Sequence, residues 1–191
     1  MMRSVPKGSL QIKIAFGYKM GVGKDEACSY LSSKYGGEKI SFASPIYDIQ
    51  RYAQLRCGFS NEKDRQFLQY IGTEWARKKD PYVWINLAIK DSPKEGNVFL
   101  SDLRFQNEFQ ALKKEGWCCV KIDRSFSDIE ERNGTGSVFH ESETSLDSLD
   151  ETEWNYVIKN NDTIENFYKS LDKLYLNIWR NNVTDFKNKC F

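Results

Sequence analysis

The stretch Phe16-Gly17-Tyr18-Lys19-Met20-Gly21-Val22-Gly23-Lys24-Asp25 constrains the fold more than any other part of the chain. An apolar run over residues 11–16 leads into it. A helical spacing through Ala27, Tyr30 and Leu31 leads out, until Gly36-Gly37 ends it. Strand, glycine-rich turn and helix in that order begin a βαβ unit. Further apolar runs at 39–42, 97–100, 117–122 and 154–158 alternate with helical patterns at 45–57, 61–76, 81–89, 105–115 and 163–180. The alternation predicts an α/β fold with a mainly parallel five-stranded sheet flanked by helices. Such a sheet places ligand sites beyond the carboxyl ends of its strands, here the loops after Phe16, Phe42, Leu100, Ile122 and Ile158. Pro81 is expected in the first turn of its helix. The polar tail after Asn181 is expected to fray.

The glycine-rich turn matches the phosphate-loop pattern G-x-x-x-x-G-K-[ST] at Gly23-Lys24. Glycines let backbone N–H groups converge on phosphate oxygens. The helix start adds a partial positive charge of about half a unit, and Lys24 adds a full one. Two departures stand out. Tyr18 occupies the first glycine position, with Gly17 one residue early, and Asp25 occupies the Ser/Thr position. An Asp there could hold Mg²⁺ directly or through water, because that ion prefers hard oxygen ligands. Downstream, Val98-Phe-Leu-Ser-Asp102-Leu-Arg104 is an apolar strand ending in a carboxylate. Proteins with a phosphate loop keep there an acid that orients magnesium or the acceptor, and Arg104 could neutralise a phosphate. A glycine turn that binds nothing, and a strand-end salt bridge, remain the alternative readings of these two segments.

With these residues in view, the chain from about residue 11 to 175 resembles the deoxynucleoside monophosphate kinases of phages and large viruses. The resemblance rests on five motifs in order. They are a Gly-Lys-Asp loop (Gly23-Lys24-Asp25); Arg65-Gln-Phe-Leu-Gln-Tyr-Ile71-Gly72-Thr73-Glu74 followed by Asp80-Pro81 and Trp84; Asp102, Arg104 and Glu108; His140, Ser142 and Glu143; and Val157-Ile158-Lys159-Asn160-Asn161-Asp162. Asp25 agrees with the family where it breaks the general pattern, whereas Tyr18 departs from both.

The resemblance implies one P-loop kinase domain over residues 1–191, with a monophosphate-binding helical part at 44–85 and a lid at 124–140. It implies that Lys19, Gly21, Val22, Gly23, Lys24, Asp25 and Glu26 hold the phosphates of ATP, with Mg²⁺ on Asp25 and Asp102, and that Asn160 and Asn161 lie near the adenine. Arg65 and Thr73 would serve the acceptor and Trp84 would pack on its base, with a solvated Arg65 and a core Trp84 as the alternative readings. Asp102 and Arg104 would lie between donor and acceptor. Arg124 and Arg132 of the lid would reach the transferring phosphoryl group, and His140 would make a structural hydrogen bond at the lid hinge, with Glu143 as a further anchor. The implied reaction is ATP-dependent phosphorylation of deoxynucleoside monophosphates, with those small molecules as partners and a homodimer compatible with the family. Two other readings stay open. Animal phosphomevalonate kinase resembles the same loop, strand-end Asp and terminal strand-Asn segment, so another small phosphate could be the acceptor. Tyr18 would favour a P-loop protein that binds nucleotide without turnover.

Composition argues against other classes. Lys plus Arg is 28 against 27 for Asp plus Glu, a net charge of +1, so no basic stripe points to a nucleic-acid polymer. No apolar run approaches the roughly 20 residues of a membrane span, and no apolar stretch follows the charged N-terminus as a secretory signal requires. The cysteines Cys28, Cys57, Cys118, Cys119 and Cys190 show no CxxC spacing, and there is a single histidine. Reduced thiols of a cytoplasmic protein (host cytoplasm, if viral) are expected, with Cys118 and Cys119 in a strand and no zinc site.

Overall fold

The computed structural model describes residues 11–125 and 144–190, with side chains to residue 184. The elements in chain order are β1 (Lys13–Gly17), α1 (Lys24–Tyr35), β2 (Glu38–Ile40), α2 (Ser44–Cys57), α3 (Arg65–Gln69), a π-helical stretch (Tyr70–Arg77), α4 (Val83–Asp91), β3 (Val98–Leu103), α5 (Gln106–Lys114), β4 (Cys118–Asp123), a 3₁₀ turn (Glu151–Glu153), β5 (Tyr156–Lys159) and α6 (Ile164–Cys190). The five strands form one sheet in the order β2-β3-β1-β4-β5. β1 pairs in parallel with both β3 and β4, and β4 in parallel with β5. The predicted architecture is therefore the one observed.

Several boundaries differ from the sequence expectation, each for a local reason. Pro81 lies in a turn ahead of α4, because the Asp80 carboxylate accepts the Tyr82 N–H at 2.8 Å and closes an Asx turn there. The helix expected from residue 61 starts at Arg65, where Asp64 caps it by accepting the Phe67 N–H at 3.0 Å. The tail expected to fray continues α6 to Cys190. A helix already nucleated gains one hydrogen bond per residue fixed, which outweighs the polar composition. β3 continues past Leu100 to Leu103, and this extension matters for the site.

The chain divides into two compact units, residues 40–92 and the remainder. In the larger unit the sheet is covered on one face by α1 and α6. Ile14 and Phe16 of β1, Phe99 of β3, Val120 and Ile122 of β4 and Ile158 of β5 meet Leu31, Phe167, Leu171 and Leu174 there. On the opposite face, Gly17 of β1 lies under the Trp154 ring. An added Cβ would approach that ring to 2.7 Å, so the glycine is required for space. Trp154 in turn meets Phe109 of α5 edge-on at 4.8 Å. The 40–92 unit has a small interior around Gly72, Ala76, Trp84, Ile85 and Ala88. The indole N–H of Trp84 donates to the Gly72 carbonyl at 2.9 Å.

Cys118 and Cys119 lie in β4, and burial pushes both thiols up to about 12. Burial likewise pushes the Cys28 thiol up, so these groups are unreactive at neutral pH. Among the described residues, no helix is long and apolar enough to cross a membrane.

Candidate active site

β1 delivers the chain into the loop 18–23, and α1 begins at Lys24. The loop turns through left-handed backbone at Tyr18 (φ 101°), Gly21 (φ 79°) and Gly23 (φ 106°). At Gly23 a side chain is excluded twice, by φ and because an added Cβ would lie 2.8 Å from the Asn160 amide nitrogen. That amide donates to the Val22 carbonyl at 2.8 Å, and Asn160 is buried. Asn160, expected near the adenine, therefore also clamps the phosphate loop from the end of β5.

Lys24 is only 6% exposed. Its ammonium donates to the Tyr18 carbonyl at 2.9 Å and to the Lys19 carbonyl. A buried cation at the positive pole of a helix is costly, and an anion placed there by the loop amides turns both charges to use. Lys24 thus spans the loop it belongs to and holds it closed on itself.

Tyr18 is the one described non-glycine residue with a left-handed backbone. Its ring lies 4.4 Å from the Lys121 ammonium and 5.2 Å from that of Lys19. Burial, then the Asp147 carboxylate that accepts its hydroxyl, pushes the phenol up to about 12, so it remains a donor. Asp147 also pairs with Lys19 at 3.3 Å. These contacts hold the side chain that replaces the usual glycine.

The strand-end acid lies beside this loop through a bulge. Ala15 of β1 is opposite Leu100 and Gly17 is opposite Leu103, so β3 carries one residue more than β1 over that interval. Ser101 faces α1, where its hydroxyl donates to Asp25 Oδ1 at 2.6 Å. Asp102, half-buried, follows Ser101 within the same register shift. Leu103 returns to the opposite face beside Gly17. In regular alternation Ser101 and Leu103 would share a face, so the register shift is what sends them to opposite ones. The next turn is held by Glu108, 1% exposed, which accepts the N–H of Arg104 at 2.9 Å and of Phe105 at 3.0 Å.

Next to the loop, a cleft of about 320 Å³ is lined by Gly21, Gly23, Glu26, Arg124, Asn160, Ile164, Phe167 and Tyr168. Tyr168 stacks on Tyr30 of α1 at 4.0 Å and donates its hydroxyl to Glu26. Aromatic and aliphatic walls with one guanidinium suit a planar base. Asn161 Oδ1 accepts the Ser125 N–H at 2.8 Å, tying the loops after β4 and β5 together.

The larger unit thus gathers Lys19, Gly21, Val22, Gly23, Lys24, Asp25, Glu26, Asp102, Arg104, Arg124, Asn160 and Asn161 at the ends of its strands. Arg65, Thr73 and Trp84 lie in the 40–92 unit. There Arg65 is exposed at the start of α3, and Thr73 is half-buried in the π-helical stretch. Trp84, expected to pack on a base, is 2% exposed with its N–H bonded, so the geometry gives it a core role. Arg132, His140, Ser142, Glu143 and most of the expected lid 124–140 lie outside the described residues. The sequence reading missed Ser101, Glu108 as the holder of the Arg104 turn, and Tyr168. The signal for Ser101 was Asp25 at the Ser/Thr position, which leaves the loop without its usual hydroxyl.

The donor set fits phosphates and Mg²⁺: a glycine-rich loop at a helix start, a buried ammonium, and two carboxylates with a hydroxyl. No cluster of three or more His, Cys, Asp or Glu occurs among the described residues. Magnesium does not require one, since it keeps water and phosphate oxygens as ligands.

No family model matches the sequence. The chain is 37% identical over 142 residues to "Uncharacterized protein ORF77" of Ictalurid herpesvirus 1 (strain Auburn), covering 70% of this chain and 58% of that protein's length. It is 29% identical to "Putative deoxynucleotide monophosphate kinase" of Acanthamoeba polyphaga mimivirus, covering 79% of this chain and 89% of that protein. Three solved structures share the fold across 90% of this chain. A shikimate kinase from Acinetobacter baumannii in complex with shikimate has TM-score 0.58, 14% identity and 97% of its chain covered. A gluconokinase from Sinorhizobium meliloti 1021 has TM-score 0.54, 13% identity and 98% covered. A sugar kinase from Janibacter sp. HTCC2649 has TM-score 0.52, 12% identity and 95% covered. At these identities the likeness is one of fold: a parallel five-stranded sheet flanked by helices, the P-loop kinase fold.

Proposed function

We propose that this chain is an ATP-dependent kinase that converts deoxynucleoside monophosphates to diphosphates. The observation that carries the reading is Lys24, buried at the start of α1 with its ammonium on the Tyr18 and Lys19 carbonyls and followed by Asp25, which accepts the strand-end Ser101 hydroxyl. The mimivirus relative's name and the five ordered motifs support the choice of a monophosphate acceptor.

In this reading the loop amides from Lys19 to Lys24 grip the β- and γ-phosphates, and the base of ATP lies against Phe167, Tyr168 and Arg124. Asp25 and Asp102 would hold Mg²⁺, which when bound neutralises charge on the phosphates. Arg104, fixed by Glu108 through its backbone N–H, is a cation for the transferred group. Arg65 and Thr73 serve the acceptor, and Arg132 belongs to the lid. The bond from the γ-phosphorus to the bridging oxygen breaks as an acceptor phosphate oxygen bonds to that phosphorus. The acceptor oxygen is already anionic, so no general base is needed, and catalysis is positioning plus charge compensation.

A coupled ADP assay over dAMP, dGMP, dCMP, dTMP and phosphomevalonate tests this. Turnover with at least one of the deoxynucleotides, lost in Lys24→Ala, is expected. Turnover with phosphomevalonate alone moves the acceptor to another small phosphate. ATP binding without turnover on any acceptor selects the non-catalytic alternative, which the left-handed backbone of Tyr18 would favour.

A further inference from the structure

We infer that Ser101 is a positioning residue for the metal-binding carboxylate Asp25, so that the hydroxyl usually carried by the helix is supplied in this chain from the strand. The inference rests on the kinase reading above and adds to it a residue that the motifs did not single out. In the common arrangement, the residue after the loop lysine is Ser or Thr, its hydroxyl on magnesium, and the carboxylate comes from a neighbouring strand end. Here the helix supplies the carboxylate, Asp25, and the strand end supplies a hydroxyl, Ser101, at 2.6 Å. The strand end keeps its own acid, Asp102, and adds beside it the hydroxyl that the helix lacks.

Three observations favour a role beyond joining α1 to β3. The pair is accessible, with Asp25 exposed and Ser101 half-buried, so a phosphate-bound ion can reach it. A purely structural bond would gain more from burial. The bulge in β3 adds one residue opposite Ala15–Gly17, at the point where Ser101 reaches α1 and Leu103 lies beside Gly17 on the other face. A bulge disrupts the ladder locally, and bulges commonly re-aim side chains beside active sites. Finally, the bond occupies one acceptor position on Oδ1, and a carboxylate offers about four. The hydroxyl can therefore fix the carboxylate's orientation and still leave oxygens to ligate an ion. Partners that orient a ligating carboxylate typically change metal affinity by about 10- to 100-fold.

The test is calorimetric titration of a non-hydrolysable ATP analogue, in excess magnesium and in EDTA, on the full chain. Wild type is expected to bind more tightly with magnesium. In Ser101→Ala the gain from magnesium should fall by about 10-fold or more, while affinity in EDTA and the thermal midpoint stay near wild type. Ser101→Thr, which keeps the hydroxyl, should restore the gain. The transposed double variant Asp25→Ser with Ser101→Asp should recover more of it than either single change. An unaltered magnesium gain in Ser101→Ala overturns the inference and leaves the kinase reading standing. Equal losses with and without magnesium, together with a lowered thermal midpoint, also overturn it, because they mark a purely structural bond. Absence of any analogue binding by wild type overturns the kinase reading itself.

Discussion

Helices α1 and α2 are of similar length, 12 and 14 residues, yet they are held in different ways. α1, in the larger unit, buries Lys24, Ala27, Cys28 and Leu31. Along it Tyr30 stacks on Tyr168 at 4.0 Å and Tyr35 on Tyr175 at 3.8 Å, while Asp172 accepts from Lys34, Tyr30 and Tyr35. α2, in the 40–92 unit, buries a single residue, and it is polar: Gln50. That side chain donates to the Glu62 carbonyl at 2.8 Å and accepts the Asp64 N–H at 3.2 Å, while Tyr52, Leu55 and Phe59 stay largely exposed. A helix whose first turn must hold a triphosphate needs fixed amides, and apolar packing along its length provides them. A segment tied mainly by a few hydrogen bonds opens more readily. Under the proposed kinase reading, the contrast would suit a rigid donor grip and a more adaptable acceptor part.

The largest expected effect separates chemistry from stability within α1. Lys24→Ala should lower turnover by about 10²- to 10³-fold and move the thermal midpoint by only a few degrees. Turnover within about threefold of wild type would remove the premise of the comparison. Next, Gly17→Ala should destabilise the larger unit by about 1–3 kcal/mol through overpacking on Trp154. Leu55→Ser on α2 should stay within about 0.5 kcal/mol. Denaturant unfolding checks both, and equal losses would erase the contrast.

Gln50→Ala should cost about 1–3 kcal/mol by leaving partly buried backbone groups unpaired. Its signature is regional: faster hydrogen exchange over residues 44–69 with α1 amides unchanged. Faster exchange across α1 as well would show that the two units open together.

A smaller effect concerns pH. Burial pushes the Asp172 carboxyl up, but hydrogen bonds from Lys34, Tyr35 and Tyr30 outweigh it and hold the group below the ordinary carboxylate range. The stability this contributes is present above the unfolded value of about 3.9 and is lost as pH falls through the lower folded value. Asp172→Asn should therefore lower the thermal midpoint at neutral pH and flatten its decline on acidification. An acid limb as steep as in wild type would remove Asp172 from the account of α1.

The smallest shift is expected for Tyr18→Gly. Relief of left-handed backbone is worth about 1–2 kcal/mol. The lost Lys121 contact and the hydroxyl bond to Asp147 are worth about 0.5–1 and 0.5–1.5 kcal/mol. The terms nearly cancel, so the thermal midpoint should hardly move. A large rise would mean that the ring contacts contribute little.

Local rules made much of the fold legible before any coordinates. Gly36-Gly37 ended α1, the 3.6-residue spacing marked α6, and the parallel sheet followed from strands alternating with helices. Much of the candidate site was legible for the same reason: loop, lysine and Asp25 are neighbours in sequence, and the strand-end acid has a fixed pattern. Trp84 was not readable. A tryptophan looks alike as a platform and as core, and only the bond to Gly72 distinguishes them. Gly17 looked like a misplaced loop glycine until Trp154, more than a hundred residues away, occupied the space over it.

The sequence alone determined the order of elements, the position of the phosphate loop at the first strand end, and which residue types stand there. Those depend on periodicity, turn chemistry and neighbours along the chain. Only the tertiary structure decided that β3 bulges beside the loop, that Ser101 bonds to Asp25, that Asn160 clamps Val22, and that Tyr18 is held by Lys121 and Asp147. Each of these is a meeting of distant segments. Register and side-chain direction there are set by packing across the sheet, which no local rule reports.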